Sequence, residues 1–366
     1  MGMPVADEVK FYSLRRWFRQ HRAAVGWLFV VFALSQAVLA VYVDQHAPTV
    51  RDPEYYLLEG MLRERIAERP TRPTAMFLGS SRVAHGFDAA AATGNNDALV
   101  FNFGVPGSGP YLQTVMMDRL HAAGMRTDIL FLEVLHPFYN TAGVRSLDGS
   151  LLDGARLSYE EAIGLRHYGS KSNSGPIRRW VYARLLPVYR HQAELRDQIG
   201  LDLFQPGEGP LPPFAPIDLL GYRRREIEKK MWPELTELAH KQYDPFYTAF
   251  QFDEAAWARL VATIDGAKAV GTDVVIVMMP EGSQFRDLAT SEVRDGANEL
   301  IRRLREQLQV TVADAREWLN DSAFYDQHHL LPNGAKTFAE RFRVEALEPA
   351  LHRAEKRIAG QSTRSP

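Results

Sequence analysis

The chain reads as an α/β protein: a three-layer α/β/α sandwich on a parallel sheet of about five strands, preceded by one N-terminal transmembrane helix. Three observations predict this class. Short, near-continuous Val/Ile/Leu runs recur after Pro70 and Pro73, as strands buried on both faces require. Helical periodicities separate those runs, which implies parallel strands between helix layers. A 21-residue stretch without a charge, Ala23 to Val43, stands near the start.

That stretch has Ser35 and Gln36 as its only clearly polar members, and about 20 apolar residues span a bilayer as a helix. Lys10, Arg15, Arg16, Arg19 and Arg22 precede it, while Asp44, Asp52 and Glu54 follow. The positive-inside rule therefore puts residues 1–22 in the cytoplasm and everything after about 44 outside it. A cleaved signal peptide is the rival, with Val38-Leu39-Ala40 as a small-residue cleavage site, but its apolar region would normally run about 7–15 residues. A buried core helix is disfavoured by the flanking charge asymmetry. An uncleaved, single-pass anchor is the expectation.

Residues 44–73 form a juxtamembrane helical linker, with Leu57, Leu58, Met61, Leu62 and Ile66 on one stripe of Glu54 to Glu68. Strands are expected at Thr74 to Leu78, Ala98 to Phe103, Ile129 to Leu135, Asp273 to Met279 and Val310 to Ala313. Helices are expected at Pro110 to Ala123, Glu254 to Val270, Glu292 to Gln309 and Asn333 to Arg357. These belong to one domain, 74–358, interrupted by an insertion at about 141–250 that hangs over the catalytic edge of the sheet. The insertion carries helical patches at Tyr159 to Tyr168, Ile177 to Ile199 and Tyr222 to His240, with Gln205 to Pro213 as loop. Residues 359–366 read as a tail.

With 46% hydrophobic and 24% charged residues the composition is that of a globular protein. A net charge of −2 gives no basic excess, so nucleic acid is not a suggested partner. The absence of Cys removes disulfides, thiolate metal sites and Cys nucleophiles together.

Two motifs carry chemistry. Gly79-Ser80-Ser81-Arg82 follows the first strand as a small-residue turn ending on a hydroxyl, and Asp326 stands three residues before His329. A carboxylate on one turn with an imidazole can fix its tautomer and leave the other ring nitrogen for a hydroxyl proton. His328 is the rival base, but the spacing from Asp326 favours His329. Asp326, His328, His329 and His85 or His136 are suitable metal ligand types. They lack a recognised spacing, so no metal and no cofactor is assigned. Arg82 is expected to pair with Asp88 or Glu133, or else to hold an anionic polymer. Pro280 to Arg286 follows the fourth strand, so Glu281 and Arg286 are candidate substrate contacts. Arg178, Arg179, Trp180, Arg184 and Arg190 make a basic, aromatic helix suited to lipid headgroups, an acidic polysaccharide or plain solvent.

Over 74–140 and 253–350 the chain resembles the SGNH (GDSL-type) hydrolase family. The resemblance is to its membrane-anchored branch, which includes the D-alanyl transfer proteins of the teichoic acid pathway and the alginate O-acetylation proteins. It implies Ser81 as nucleophile with Ser80 in the Asp place of Gly-Asp-Ser, and Asp326 and His329 as the closing Asp-x-x-His. From Asn102-Phe103-Gly104-Val105-Pro106-Gly107 it implies Gly107 as an oxyanion donor, with Gly104 a further contact. The third block departs: Leu135-His136-Pro137-Phe138-Tyr139-Asn140 stands where Gly-x-Asn-Asp is expected, leaving His136 or Asn140 to rebuild the lost donor. The implied function is a membrane-anchored extracytoplasmic esterase or O-acyl (acetyl) transferase acting on envelope or exported polysaccharide. If it transfers, it requires a polytopic membrane partner as acyl donor. The alternative is a catalytically inactive scaffold or polymer-binding subunit of an export or modification complex.

Overall fold

The computed structural model describes residues 21–143, 152–165, 174–199 and 216–362. Most of the basic N-terminus, the loop Gln205 to Pro213 and the last four residues of the expected tail lie outside the described residues. The first described element, α1 (Arg22–Gln45), is long and apolar enough to cross a membrane. Of its residues, Gln36 and Val43 are buried.

Helix α2 (Pro53–Glu68) follows, started by the Asp52 side chain accepting from the Tyr55 N–H and by Pro53 in its first turn. The apolar stripe of this juxtamembrane helix packs on the domain, with Tyr55, Leu58 and Leu62 in one cluster with the sheet. Next come β1 (Thr74–Gly79), α3 (Ser81–Gly86), α4 (Ala89–Thr93), β2 (Leu99–Gly104), α5 (Pro110–Ala122) and β3 (Ile129–Glu133). The insertion holds α6 (Ser174–Leu185) and α7 (Trp232–Tyr243). The chain then returns through α8 (Glu254–Ala269), β4 (Asp273–Met278), α9 (Ser291–Glu306), β5 (Thr311–Asp314), α10 (Pro332–Phe342) and α11 (Glu348–Ser362).

All five strands pair in parallel, in the order β2-β1-β3-β4-β5. Alternate residues feed opposite faces. Met76, Leu78, Leu130, Leu132, Val274 and Ile276 face the layer of α2, α5, α8 and α9. Ala75, Phe77, Phe131, Val275 and Val277 face α3, α4, α10 and α11, where Phe342 stacks on Phe77 at 5.4 Å. Both faces being covered explains why the strands read as continuous apolar runs. The chain's path reverses direction beside β1, so the crevice at the carboxyl ends of β1 and β3 is where such sheets place ligands.

The insertion leaves and re-enters at one neck. Asn140 and Phe252 form an antiparallel bridge, with Thr141 N–H to Gln251 O at 2.7 Å and Asp253 N–H to Tyr139 O at 2.9 Å. Pro187 cuts the expected Ile177 to Ile199 helix into α6 and two short pieces, because proline cannot donate the interior helix bond. The helix expected at Tyr159 to Tyr168 is present as Tyr159–Leu165, and its last three residues lie outside the described residues. Tyr222 to Glu228, expected as helix, is not helical. Its neighbourhood covers the open edge of β2 instead, Asn102 N–H donating to Leu220 O and Arg223 N–H to Ala84 O. Gly221, at φ +86°, lies so close that a Cβ would sit 2.0 Å from Asn102 O.

An ion-pair network joins α2 to α5 and the insertion. Asp52 meets Arg119 at 2.7 Å and Arg156 at 2.8 Å, and Glu54 meets Arg223 at 2.6 Å. Burial alone would raise the Asp52 carboxyl, but the charges of Arg156 and Arg119 outweigh it and hold it below its ordinary value.

Candidate active site

Ser81 is the first residue of α3, directly beyond β1, with Ser80 as N-cap accepting from Arg82 N–H at 3.2 Å. Three neighbours lock that turn. Val105 N–H and the Ser108 hydroxyl both donate to Gly79 O, at 2.8 and 2.7 Å, and Ser80 N–H donates to Glu133 Oε2 at 2.5 Å. Gly79 has no room for a side chain, since a Cβ would meet Val83 Cγ2 at 2.3 Å and Glu133 Oε2 at 2.6 Å.

On the far side of the crevice, Asp326 organises a one-turn loop. Its Oδ1 accepts the N–H groups of His328 and His329, at 3.2 and 2.7 Å. Its Oδ2 accepts from His329 Nδ1 at 2.7 Å. The other ring nitrogen, His329 Nε2, stands 2.8 Å from Ser81 Oγ, across 248 residues of sequence. Burial alone would raise Asp326. Electrostatic interaction with the His329 and His328 imidazoles, with the His329 hydrogen bonds, prevails and holds the carboxyl well below the usual carboxylate range. An ionised Asp326 accepts a hydrogen bond from Nδ1–H, which keeps the proton on that nitrogen and leaves Nε2 bare towards the Ser81 hydroxyl.

The rival imidazole, His328, sits beneath this chain. It stacks on Phe285 at 5.1 Å and meets Tyr243 edge-on. Burial, then the charge of His329, push it down to about 3, so it stays neutral. Ligand-type atoms of Asp326, His328 and His329 lie within 4.8 Å of one another. Both nitrogens of His329 are already engaged, by Asp326 and Ser81, and His85 and His136 are not part of this group among the described residues.

The oxyanion candidates divide. Val105 to Ser108 is a β-turn closed by Ser108 N–H to Val105 O at 3.0 Å, with Pro106 and then Gly107 at φ +78° as its central pair. This is the type II arrangement, in which glycine suits the left-handed second position. The N–H groups of Gly107 and Ser81 have no protein partner among the described residues. Asn140 is excluded as a donor: its Nδ2 already serves Phe246 O at 3.2 Å and Ala249 O at 2.7 Å. Its Oδ1 accepts from Ala142 and Gln251 N–H, so the whole side chain is spent clamping the insertion's neck. His136 lies elsewhere. It lines a separate cleft of about 520 Å³ with Tyr247, Glu281, Arg286 and Arg316, a cleft that none of Ser81, Asp326 and His329 lines.

Arg82 takes the expected pairing with Glu133, and Gly104 and Glu281 are buried beside the site. Arg82 is 2% exposed. It pairs with Glu281 at 3.4 Å and Glu133 at 3.8 Å, and donates to Met279 O and Pro280 O at 2.9 Å. It thus ties the Ser81 turn to the ends of β3 and β4. Gly104 is buried against Ala84, whose N would lie 2.2 Å from a Cβ. Burial raises Glu281, against the opposing charge of Arg82. Arg286 faces the His136 cleft and bonds Arg316 O at 3.2 Å.

Sequence reasoning missed three groups around His329. Tyr325 stacks on its ring at 5.6 Å and 8°. Arg225, from the insertion, donates to Tyr325 OH at 3.4 Å and lies 5.7 Å over that ring. His85 meets His329 edge-on at 6.3 Å and engages Arg223 O at 3.1 Å. The spacing of His85, four residues after Ser81 on one short helix, was a usable signal. Nothing local marked Arg225.

Comparison by sequence finds no matching family profile and no matching curated protein. Among solved structures, a Bacteroides fragilis protein provisionally named an acylhydrolase is similar, at 9% identity and a TM-score of 0.35. The match covers 80% of this chain and 98% of that one. At that distance likeness does not transmit chemistry, and the side chains alone carry it.

Proposed function

We propose that the protein is a serine acyl hydrolase or O-acyltransferase using Ser81, His329 and Asp326. The observation that carries this reading is the unbroken hydrogen-bond chain from Ser81 Oγ through both His329 nitrogens to Asp326, at 2.8 and 2.7 Å. As the Ser81 oxygen attacks an acyl carbonyl, its proton passes to His329 Nε2. The Ser81 and Gly107 N–H groups receive the oxyanion. The leaving alcohol takes the proton from His329, and the acyl-serine is then released to water or to a sugar hydroxyl. Neither release step needs a residue the other lacks.

The apolar α1 and the charges flanking it support a membrane-anchored enzyme with its domain outside the cytoplasm. By its resemblance to the membrane-anchored SGNH branch, the substrate is an O-acylated envelope or exported polysaccharide. A transferase of this kind needs a polytopic donor partner, since one helix makes no channel. The commitment of Asn140 to the neck favours a second reading, an inactive polymer-binding scaffold, because losing one oxyanion donor costs ~10²–10³ in turnover.

Hydrolysis of 4-nitrophenyl acetate by the full-length protein in detergent separates the two. Turnover abolished by Ser81→Ala and by His329→Ala is the expected result. Equal turnover in wild type and both variants contradicts the catalytic reading.

A further inference from the structure

Helix α6 and the turn after it run beside the outer half of α1. Val188 N–H donates to Gln36 Oε1 at 3.4 Å, Arg184 pairs with Asp44 at 2.5 Å, and Leu195 packs on Val43, Ala47 and Val50. Away from that contact the segment turns apolar side chains outward. Tyr182 is 58% exposed, Leu185 60%, Val188 49% and Tyr189 76%, with Val181 and Leu186 also exposed. Other exposed large apolar residues, such as Leu57, Leu238 and Val344, are scattered singly. Outside α1, and among the described residues, this segment gathers several of them closely in sequence, and it lies beside the exposed surface of α1. A contiguous apolar patch of that kind marks an interaction surface.

We propose that Val181 to Tyr189 lies in the outer leaflet of a lipid bilayer beside α1, as a second membrane contact. The proposal rests on reading α1 as the anchor. Its depth follows from helix geometry. Gln36 precedes Val43, the last residue of the uncharged run, by seven positions. At 1.5 Å per residue that is about 10 Å inside the outer end. Val188, bonded to Gln36, reaches the same level, close to the ~5–10 Å at which interfacial helices bury their apolar face. The polar groups agree with that depth. Arg184 meets Asp44 just beyond the apolar run, and Arg190 turns to Asp153, so both guanidinium groups are held at the headgroup side. Tyr182 and Tyr189 join Tyr42 of α1 as exposed aromatics at one end of the span, where membrane proteins concentrate tyrosine. Two contacts instead of one fix the domain's orientation on the membrane, which a lone helix leaves free to rotate.

The absence of Cys permits a direct test. Single cysteines at Leu34, Leu185, Tyr189 and Leu238 in the full-length protein would carry an environment-sensitive fluorophore. The protein is reconstituted into phosphatidylcholine vesicles containing phosphatidylglycerol and nitroxide-labelled lipid. Quenching by lipid nitroxide at Leu34, Leu185 and Tyr189, several-fold above that at Leu238, is the expected result. Quenching at Leu34 with Leu185 and Tyr189 left accessible to aqueous iodide overturns the proposal alone and leaves the face to a protein partner. No quenching at Leu34 overturns the anchor reading and the proposal with it.

Discussion

Two polar recesses lie along the molecule, one with a half-buried imidazole and the other with a buried one, and they differ in where the imidazole's nitrogens point. In the crevice, His329 has Asp326 on one nitrogen and Ser81 on the other. In the cleft, His136 has no hydrogen-bond partner on either nitrogen among the described residues, although Tyr247 meets its ring at 5.0 Å. Burial pushes His136 down to about 3, so it stays a neutral ring in a lined hollow. Residue type alone is therefore a poor guide to chemistry. What distinguishes the crevice is a directed series of acceptors, each fixing the proton on the next.

The largest effect that could break this contrast is on turnover. Ser81→Ala or His329→Ala should cost about 10⁴–10⁶ in rate, and the double variant little more, because the residues act as a unit. Asp326→Asn should cost about 10⁴ through the wrong tautomer. His136→Phe should leave ester hydrolysis within the scatter of the wild type, and a large loss there would erase the distinction between the recesses.

A second contrast concerns the arginines. Arg82 is buried between Glu133 and Glu281, whereas Arg316 lies partly exposed beside Asp314. Removing one member of a buried ion pair costs about 3–5 kcal/mol, an exposed pair about 0–1 kcal/mol. Urea unfolding of Arg82→Met and Arg316→Met should show that order, and similar losses would contradict the assignment of Arg82 to structure.

A further effect is on pH. Burial pushes His85 down to about 4, and His136 and His328 down to about 3, all below the ordinary histidine value. The unfolded chain then binds more protons than the folded one below about pH 6.5, so stability falls as pH drops through that window towards 4. Each histidine adds a slope of up to about 1.4 kcal/mol per pH unit. Thermal unfolding between pH 7 and 4 should show the decline, and His136→Phe should lessen its steepness.

The sheet was legible because strands covered on both faces must be apolar throughout, and each expected strand lies within two residues of its observed ends. The Asp326–His329 pair was legible because its geometry is local: one turn brings the carboxylate to the N–H and ring of the same histidine. The pairing of Arg82 with Glu133 was among those expected, but its contacts to Glu281 and Met279, and those of Asn140 to Phe246 and Ala249, come from more than 100 residues away and no local pattern marks them. Tyr222 to Glu228 was misread as helix for a similar reason, since its surroundings pair with the edge of β2 and no local pattern announces that.

The central claim, that Ser81 is a nucleophile activated by His329, is tested most directly by a serine-reactive fluorophosphonate and peptide mass spectrometry on the full-length protein. The account predicts one adduct, on Ser81, lost in His329→Ala. An unlabelled Ser81 in the folded wild type, or labelling undiminished by His329→Ala, would contradict it.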